Sequence, residues 1–214
     1  MSELYDFSKV KEYKLYTVLT PLAKAVCKTV QKCTYVGREN IPKTGGFILA
    51  CNHQSSFDPI ALGGAGKRVF HFMAKEELFE NKALGTFLTH LNAFPVVRGK
   101  GDMTAITHAE EILRKGWVLG IFPEGTRSED YTPKRAKSGI ALIAKQTGAD
   151  VLPVSIYTDE EYKRGTRLTV RFGTLIKNEE FGFTEEGKSR ELKEASRRIM
   201  DEITKLWEEG HCKK

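Results

Sequence analysis

The chain has 214 residues, 40% of them hydrophobic, which is enough for one sizeable buried core and sets a single domain of catalytic size as the default. Its net charge of +6 and pI near 9.0 call for an anionic partner, whether nucleic acid, a membrane surface or a phosphorylated substrate. No uninterrupted apolar stretch approaches the roughly 18 to 20 residues of a membrane-spanning helix. The four cysteines, Cys27, Cys33, Cys51 and Cys212, lack metal-type spacing, so a reducing cytosol, no disulfide framework and no metal are expected.

Residues 1–40 carry lysines at 9, 11, 14, 24, 28 and 32 among Tyr, Leu and Val, and read as a helical segment. On a helical wheel Leu15, Leu19, Leu22, Val26 and Val30 gather on one side, with Lys14, Lys24, Lys28 and Lys32 largely opposite. That is the pattern of a basic amphipathic helix at a membrane surface, and equally of a helix packed on its own domain. Pro21 is expected to kink it or to end its first part. "YKLYTVLTPLAKAV" superficially imitates a signal peptide, but Pro21 and the interspersed threonines count against that reading.

From residue 41 to 214 short apolar runs alternate with helical patterns, predicting an α/β domain with a mostly parallel central sheet flanked by helices. Strands are expected near 46–51, 69–73, 93–97, 117–122 and 151–156, and "RLTVRF" at 167–172 alternates as a strand with one wet face. Helices are expected over "ENKALGTFLTHL", over "DMTAITHAEEILRKG" with Asp102 as cap and Gly116 as terminator, over "SGIALIAKQTG", and from about Ser189 to Trp207.

In open α/β sheets ligands bind beyond the carboxyl ends of the strands. His53, in "NHQSSFDP", stands there, with Asp58 five positions on. A continuous helix would turn the two side chains to different sides, so the link must bend if they meet. A carboxylate on one imidazole nitrogen fixes the tautomer and raises basicity, leaving the other nitrogen to take a proton from a hydroxyl. The alternative is structural: Asp58-Pro59 as a helix cap and first helical position. Cys51 shares a strand face with His53 and is either a thiol nucleophile or a buried small hydrophobe. Neither G-x-S-x-G nor H-E-x-x-H is present.

"VLGIFPEGTRS" ends a buried strand in a turn with a hydroxyl at Thr126 and a planar cation at Arg127. "NAFPVVRGKGD" delivers Arg98 at a strand end, and Lys75, after "FHFMA", is similarly placed; with Lys100 they would form a cationic rim.

Together these pieces resemble the glycerolipid acyltransferases, specifically the lysophosphatidic acid acyltransferases. "NHQSSFDP" is similar to the family's H-x4-D block, "FPVVRG" to its second, "FPEGTRS" to its third and "VLPVSI" to its fourth, all in the family's order. The resemblance implies His53 as general base, Asp58 as its orienting partner, and direct acyl transfer without an acyl-enzyme. It further implies that Arg98, Glu124, Gly125, Thr126 and Arg127 hold the acceptor's phosphate and that Pro153 shapes the pocket floor. Lys75, from its placement, is expected as a second phosphate cation. Backbone N–H groups after residue 53 are expected to stabilise the oxyanion.

The function so implied moves a fatty acyl group from acyl-carrier protein or acyl-CoA to the sn-2 hydroxyl of 1-acylglycerol 3-phosphate, giving phosphatidic acid. No cofactor beyond the thioester substrate is expected, and the protein would sit peripherally on the cytoplasmic face of a membrane. Glycerol 3-phosphate or another lysophospholipid is the alternative acceptor, and a non-catalytic anionic-lipid binding module the rival of another class. Basic residues interleaved with acids, without a helix-turn-helix or an aromatic RNA-binding pattern, exclude nucleic acid.

Overall fold

The computed structural model describes residues 5–97, 102–160, 162–163, 165–186 and 189–212. Seven strands, β1 (Thr34–Val36), β2 (Phe47–Cys51), β3 (Phe70–Lys75), β4 (Ala93–Val96), β5 (Val118–Ile121), β6 (Val151–Tyr157) and β7 (Thr169–Phe172), form one sheet. Their order is β1-β7-β6-β2-β5-β3-β4. Every neighbouring pair is parallel except β6 with β7. Among the described residues six α-helices accompany them: α1 (Lys14–Thr29), α2 (Asp58–Gly63), α3 (Lys82–His90), α4 (Met103–Arg114), α5 (Gly139–Thr147) and α6 (Ser189–Glu208).

The central strands are apolar along their whole length because helices cover both faces. Ile48, Ala50, Leu119, Ile121 and Val151 pack beneath α4, α5 and α6, against Ala109, Ile112, Ile140, Ile143 and Ile199. Phe47, Leu49, Cys51, Phe70, Leu152 and Val154 turn to the other face, against Ala61 and Leu62 of α2. Alternate residues of β2 thus serve two cores. Burying a side chain such as Phe47 or Phe70 contributes roughly 1.5 to 3 kcal/mol.

Asp102 caps α4 as expected, its Oδ1 accepting from the Ala105 N–H at 3.1 Å. Gly116 takes up the left-handed backbone, φ 77°, that closes the following turn. Pro21 lies inside α1 without ending it.

Three expectations are corrected. Residues 1–40 are not wholly helical, since Thr34–Val36 pairs in parallel with β7 and the boundary at residue 40 runs behind a strand of the sheet. β7 has no wet face: all four residues are buried, and Arg171 is held by Glu209 Oε2 at 2.8 Å and by the Gly210 carbonyl. The chain beyond α6 folds back over that face, which no local pattern announces. On α1 the inward ridge is Tyr16 and Cys27, whereas Leu22 of the foreseen apolar stripe is 60% exposed and Val18 69%.

Candidate functional site

β2 lies between β5 and β6, parallel to both, so the loops leaving all three strands open at one edge of the sheet. Asn52 prolongs the β2 to β6 ladder with its side chain: Oδ1 accepts from the Ile156 N–H at 2.8 Å and Nδ2 donates to the Ile156 carbonyl at 3.0 Å. His53 therefore leaves a strand end that is already fixed. Its own backbone is gripped by the loop after β5, the N–H donating to Glu124 Oε1 at 3.0 Å and the carbonyl accepting from the Ser128 N–H at 2.8 Å.

The link from His53 to Asp58 bends, through a turn in which the Asp58 N–H donates to the Ser55 carbonyl at 3.1 Å. This brings His53 Nδ1 to 2.8 Å from Asp58 Oδ2. The same oxygen accepts the N–H groups of Gln54 at 2.7 Å and Ser55 at 2.8 Å, and Oδ1 accepts the Tyr162 hydroxyl at 2.7 Å. Asp58 is fully buried, so a carboxylate there requires such a set of donors. It is the first residue of α2 rather than its cap, and its side chain reaches back to the loop. The helix-cap reading of "NHQSSFDP" is thereby set aside.

The His53 ring stacks on Phe122, centroids 4.0 Å apart and planes at 18°, and Phe122 in turn lies 5.9 Å from the Phe72 ring. A Cβ at Gly120 would fall 2.4 Å from the Phe72 ring, so glycine is what admits that ring beside the strand. With Nδ1 committed to Asp58, Nε2 is the nitrogen left for proton transfer. A base with a fixed tautomer and, among the described residues, no activated nucleophile beside it suits direct attack by a bound hydroxyl. Cys51 is no rival, because it is wholly buried and its burial, with the charges of Asp58 and Glu124, pushes the thiol well above its usual range.

Of the residues expected to hold phosphate, Glu124 does not face outward. It is 3% exposed beneath the His53 amide, and burial raises its pKa to about 7. Gly125 makes the turn with φ 70°, where a Cβ would sit 3.0 Å from Lys137 Nζ. Thr126 and Arg127 follow, both exposed. Lys75, at the end of β3, pairs with Glu77 at 2.9 Å, while Arg98 and Lys100 lie outside the described residues. Pro153 is buried inside β6 on the α6 side, beside Gly173 and Leu206, and not in the loops around His53. The N–H groups of Gln54, Ser55, Phe57 and Asp58 are all bonded within the loop, so the amides foreseen for an oxyanion are already engaged.

Sequence reasoning missed Tyr162, Asn52, Phe122 as the stacking partner and Lys137. Tyr162 offers little local signal, standing among charged residues in a loop 104 residues from Asp58.

The Acyltransferase family model matches residues 32–157, which contain every motif described above. The chain belongs to the acyltransferase family. Among curated relatives, the 1-acyl-sn-glycerol-3-phosphate acyltransferase of Bacillus subtilis is 40% identical over 119 residues, 55% of this chain and 59% of that one. Its Streptococcus pneumoniae counterpart is 31% identical over 183 residues, 82% of this chain and 66% of that one. The chain thus spans roughly three fifths to two thirds of the length of these relatives. The crystal structure of the 1-acyl-sn-glycerophosphate acyltransferase PlsC from Thermotoga maritima superposes with a TM-score of 0.64 at 29% identity, covering 91% of this chain and 83% of that one. The acyltransferase fold and the mostly parallel sheet are therefore shared with a solved member.

Proposed function

We propose that this acyltransferase moves a fatty acyl group from a thioester donor, acyl-carrier protein or acyl-CoA, to the sn-2 hydroxyl of 1-acylglycerol 3-phosphate. The observation that carries the reading is the 2.8 Å contact of His53 Nδ1 with a buried, fully bonded Asp58 carboxylate. Nε2 takes the hydroxyl proton as the oxygen attacks the thioester carbonyl. The C–O bond forms, the C–S bond breaks, and the proton passes to the departing thiolate. General-base catalysis of this kind contributes about 10²- to 10⁴-fold. As the imidazole becomes imidazolium, Asp58 on one side and the Phe122 face on the other oppose its charge.

Arg127 and Thr126, beyond the Gly125 turn, are proposed to hold the acceptor's phosphate together with Lys75 and Arg98. Lys137, lying over Gly125, supplies a further cation. Among the described residues no helix is long and apolar enough to cross a membrane. The proposed route to a lipid acceptor is peripheral, on the cytoplasmic membrane face. Exposed Val18 and Leu22 of α1, Ile60 of α2 and Leu84 and Phe87 of α3, on adjoining helices, support it.

The test is incorporation of a labelled acyl group into lysophosphatidic acid, from acyl-carrier protein and from acyl-CoA in separate arms, by wild type, His53→Ala and Asp58→Ala. Phosphatidic acid from wild type, with both variants reduced at least about 100-fold, is the expected result. Undiminished product from His53→Ala would remove the base, and no product with any acceptor would leave a lipid-binding module.

A further inference from the structure

We propose that Tyr162 is a positioning residue for the His53–Asp58 pair, holding Asp58 Oδ1 through its phenol so that Oδ2 stays aimed at His53 Nδ1. This rests on the acyl-transfer reading for its consequence in catalysis, but not for its geometry.

The contact is direct, the phenol donating to Oδ1 at 2.7 Å. Oδ2 already takes three donors, and among the described residues Oδ1 has no other hydrogen-bond partner. Asp58 is fully buried, so loss of that donor would strand half of a carboxylate away from water and favour its rotation or protonation. Either change removes the anion that must face the imidazolium as it forms. Burial and the neighbouring Asp58 charge hold the phenol far above its ordinary range, which keeps it a donor.

Tyr162 is itself anchored from outside the H-x4-D loop. It lies beyond β6, the strand beside β2, and its ring meets Phe57 and Tyr131 with centroids 6.4 Å away in each case. Its loop is tied to the end of α1: the Gly165 N–H donates to the Val30 carbonyl at 2.8 Å, and the Leu168 N–H to the Gln31 carbonyl at 3.2 Å. The Gln31 amide, in its satisfied orientation, donates back to the Lys163 and Thr166 carbonyls. Asp58 is therefore held from two independent segments, its own loop through Oδ2 and the β6 loop through Oδ1. A carboxylate fixed at both oxygens cannot swing away between turnovers.

The experiment compares wild type, Tyr162→Phe and the chain carrying 3-fluorotyrosine at position 162, by steady-state kinetics and by the ¹H resonance of the His53 Nδ1 proton without substrate. In the Phe variant we expect kcat lower by about tenfold, KM for donor and acceptor within about twofold, and a displaced Nδ1 proton. Fluorotyrosine, which keeps ring and hydroxyl and makes the phenol a stronger donor, should restore most of kcat and displace the resonance from its wild-type position in the sense opposite to the Phe variant. A Phe variant with wild-type kcat, or one that loses kcat with the resonance unmoved, would overturn the proposal. If the Phe variant does not fold, the fluorotyrosine chain decides, since a resonance indifferent to the change in phenol acidity also overturns it. An inactive wild type with a resonance that follows the phenol would refute acyl transfer while leaving the Tyr162 contact established.

Discussion

His53 is held at its backbone N–H, its backbone carbonyl, its Nδ1 and its ring face, by Glu124, Ser128, Asp58 and Phe122 respectively. Three of those partners come from the FPEGTRS segment, so that segment positions His53, and in the proposed reaction its one cation, Arg127, also meets the acceptor. The two tasks separate at Gly125: Glu124 before it is buried, and Thr126 and Arg127 after it are exposed. Arg127→Ala should accordingly raise the acceptor KM roughly 10- to 100-fold and change kcat less, the loss of a charge-assisted contact to phosphate. Initial-rate kinetics at fixed thioester check this, and an unchanged acceptor KM would remove Arg127 from the phosphate site.

Among the elements, α1 is the one on which the proposed membrane docking rests. It buries Cys27 and packs Tyr16 against the core, yet leaves Val18 and Leu22 open beside lysines at 14, 24 and 28. Apolar side chains that insert and cations that meet anionic headgroups, at roughly 1 kcal/mol per lysine, favour the membrane interface together. Val18→Glu with Leu22→Glu should weaken sedimentation with anionic vesicles by about tenfold or more while sparing turnover of detergent-dispersed acceptor. Equal binding by the variant would mean that α1 does not mediate docking. Because both positions are solvent-exposed, the substitutions leave no cavity and bury no charge.

At the scale of the whole molecule, two buried groups set opposing pH dependences of stability. Glu124, raised to about 7 chiefly by burial, keeps its proton in the folded chain where the unfolded chain, near 4.5, has lost it. Folding thus binds a proton there, and stability is lost as pH rises from about 4.5 through 7. His71, stacked on Trp117, is lowered to about 4 by burial, so the unfolded chain binds a proton below 6.5 that the folded chain refuses. Its contribution is lost as pH falls from 6.5 toward 4. Glu124→Gln removes the first dependence and leaves the second. The pH of maximal stability should move upward, with a gain at pH 8 on the order of 1 to 3 kcal/mol. Denaturant unfolding from pH 5 to 8 measures it; an optimum that stays in place would mean that Glu124 ionises normally.

The sequence by itself determined the α/β class, the central strands and their helices, because apolar periodicity is a local property of the chain; for His53 and Asp58 it offered a helix cap beside a catalytic pair, and the pair came from the family resemblance. It also carried the family, since four blocks in order leave little freedom. Only the tertiary structure decided that Glu124 lies under His53, that Pro153 sits away from the loops and that the Gln54 and Ser55 amides are spent on Asp58. It likewise decided that Arg171 is covered by the chain beyond α6 and that Thr34–Val36 completes the sheet, a strand too short to signal itself. Tyr162 shows the reason most plainly: its partner is 104 residues away, and only the adjacency of β2 and β6 in the sheet brings phenol and carboxylate together.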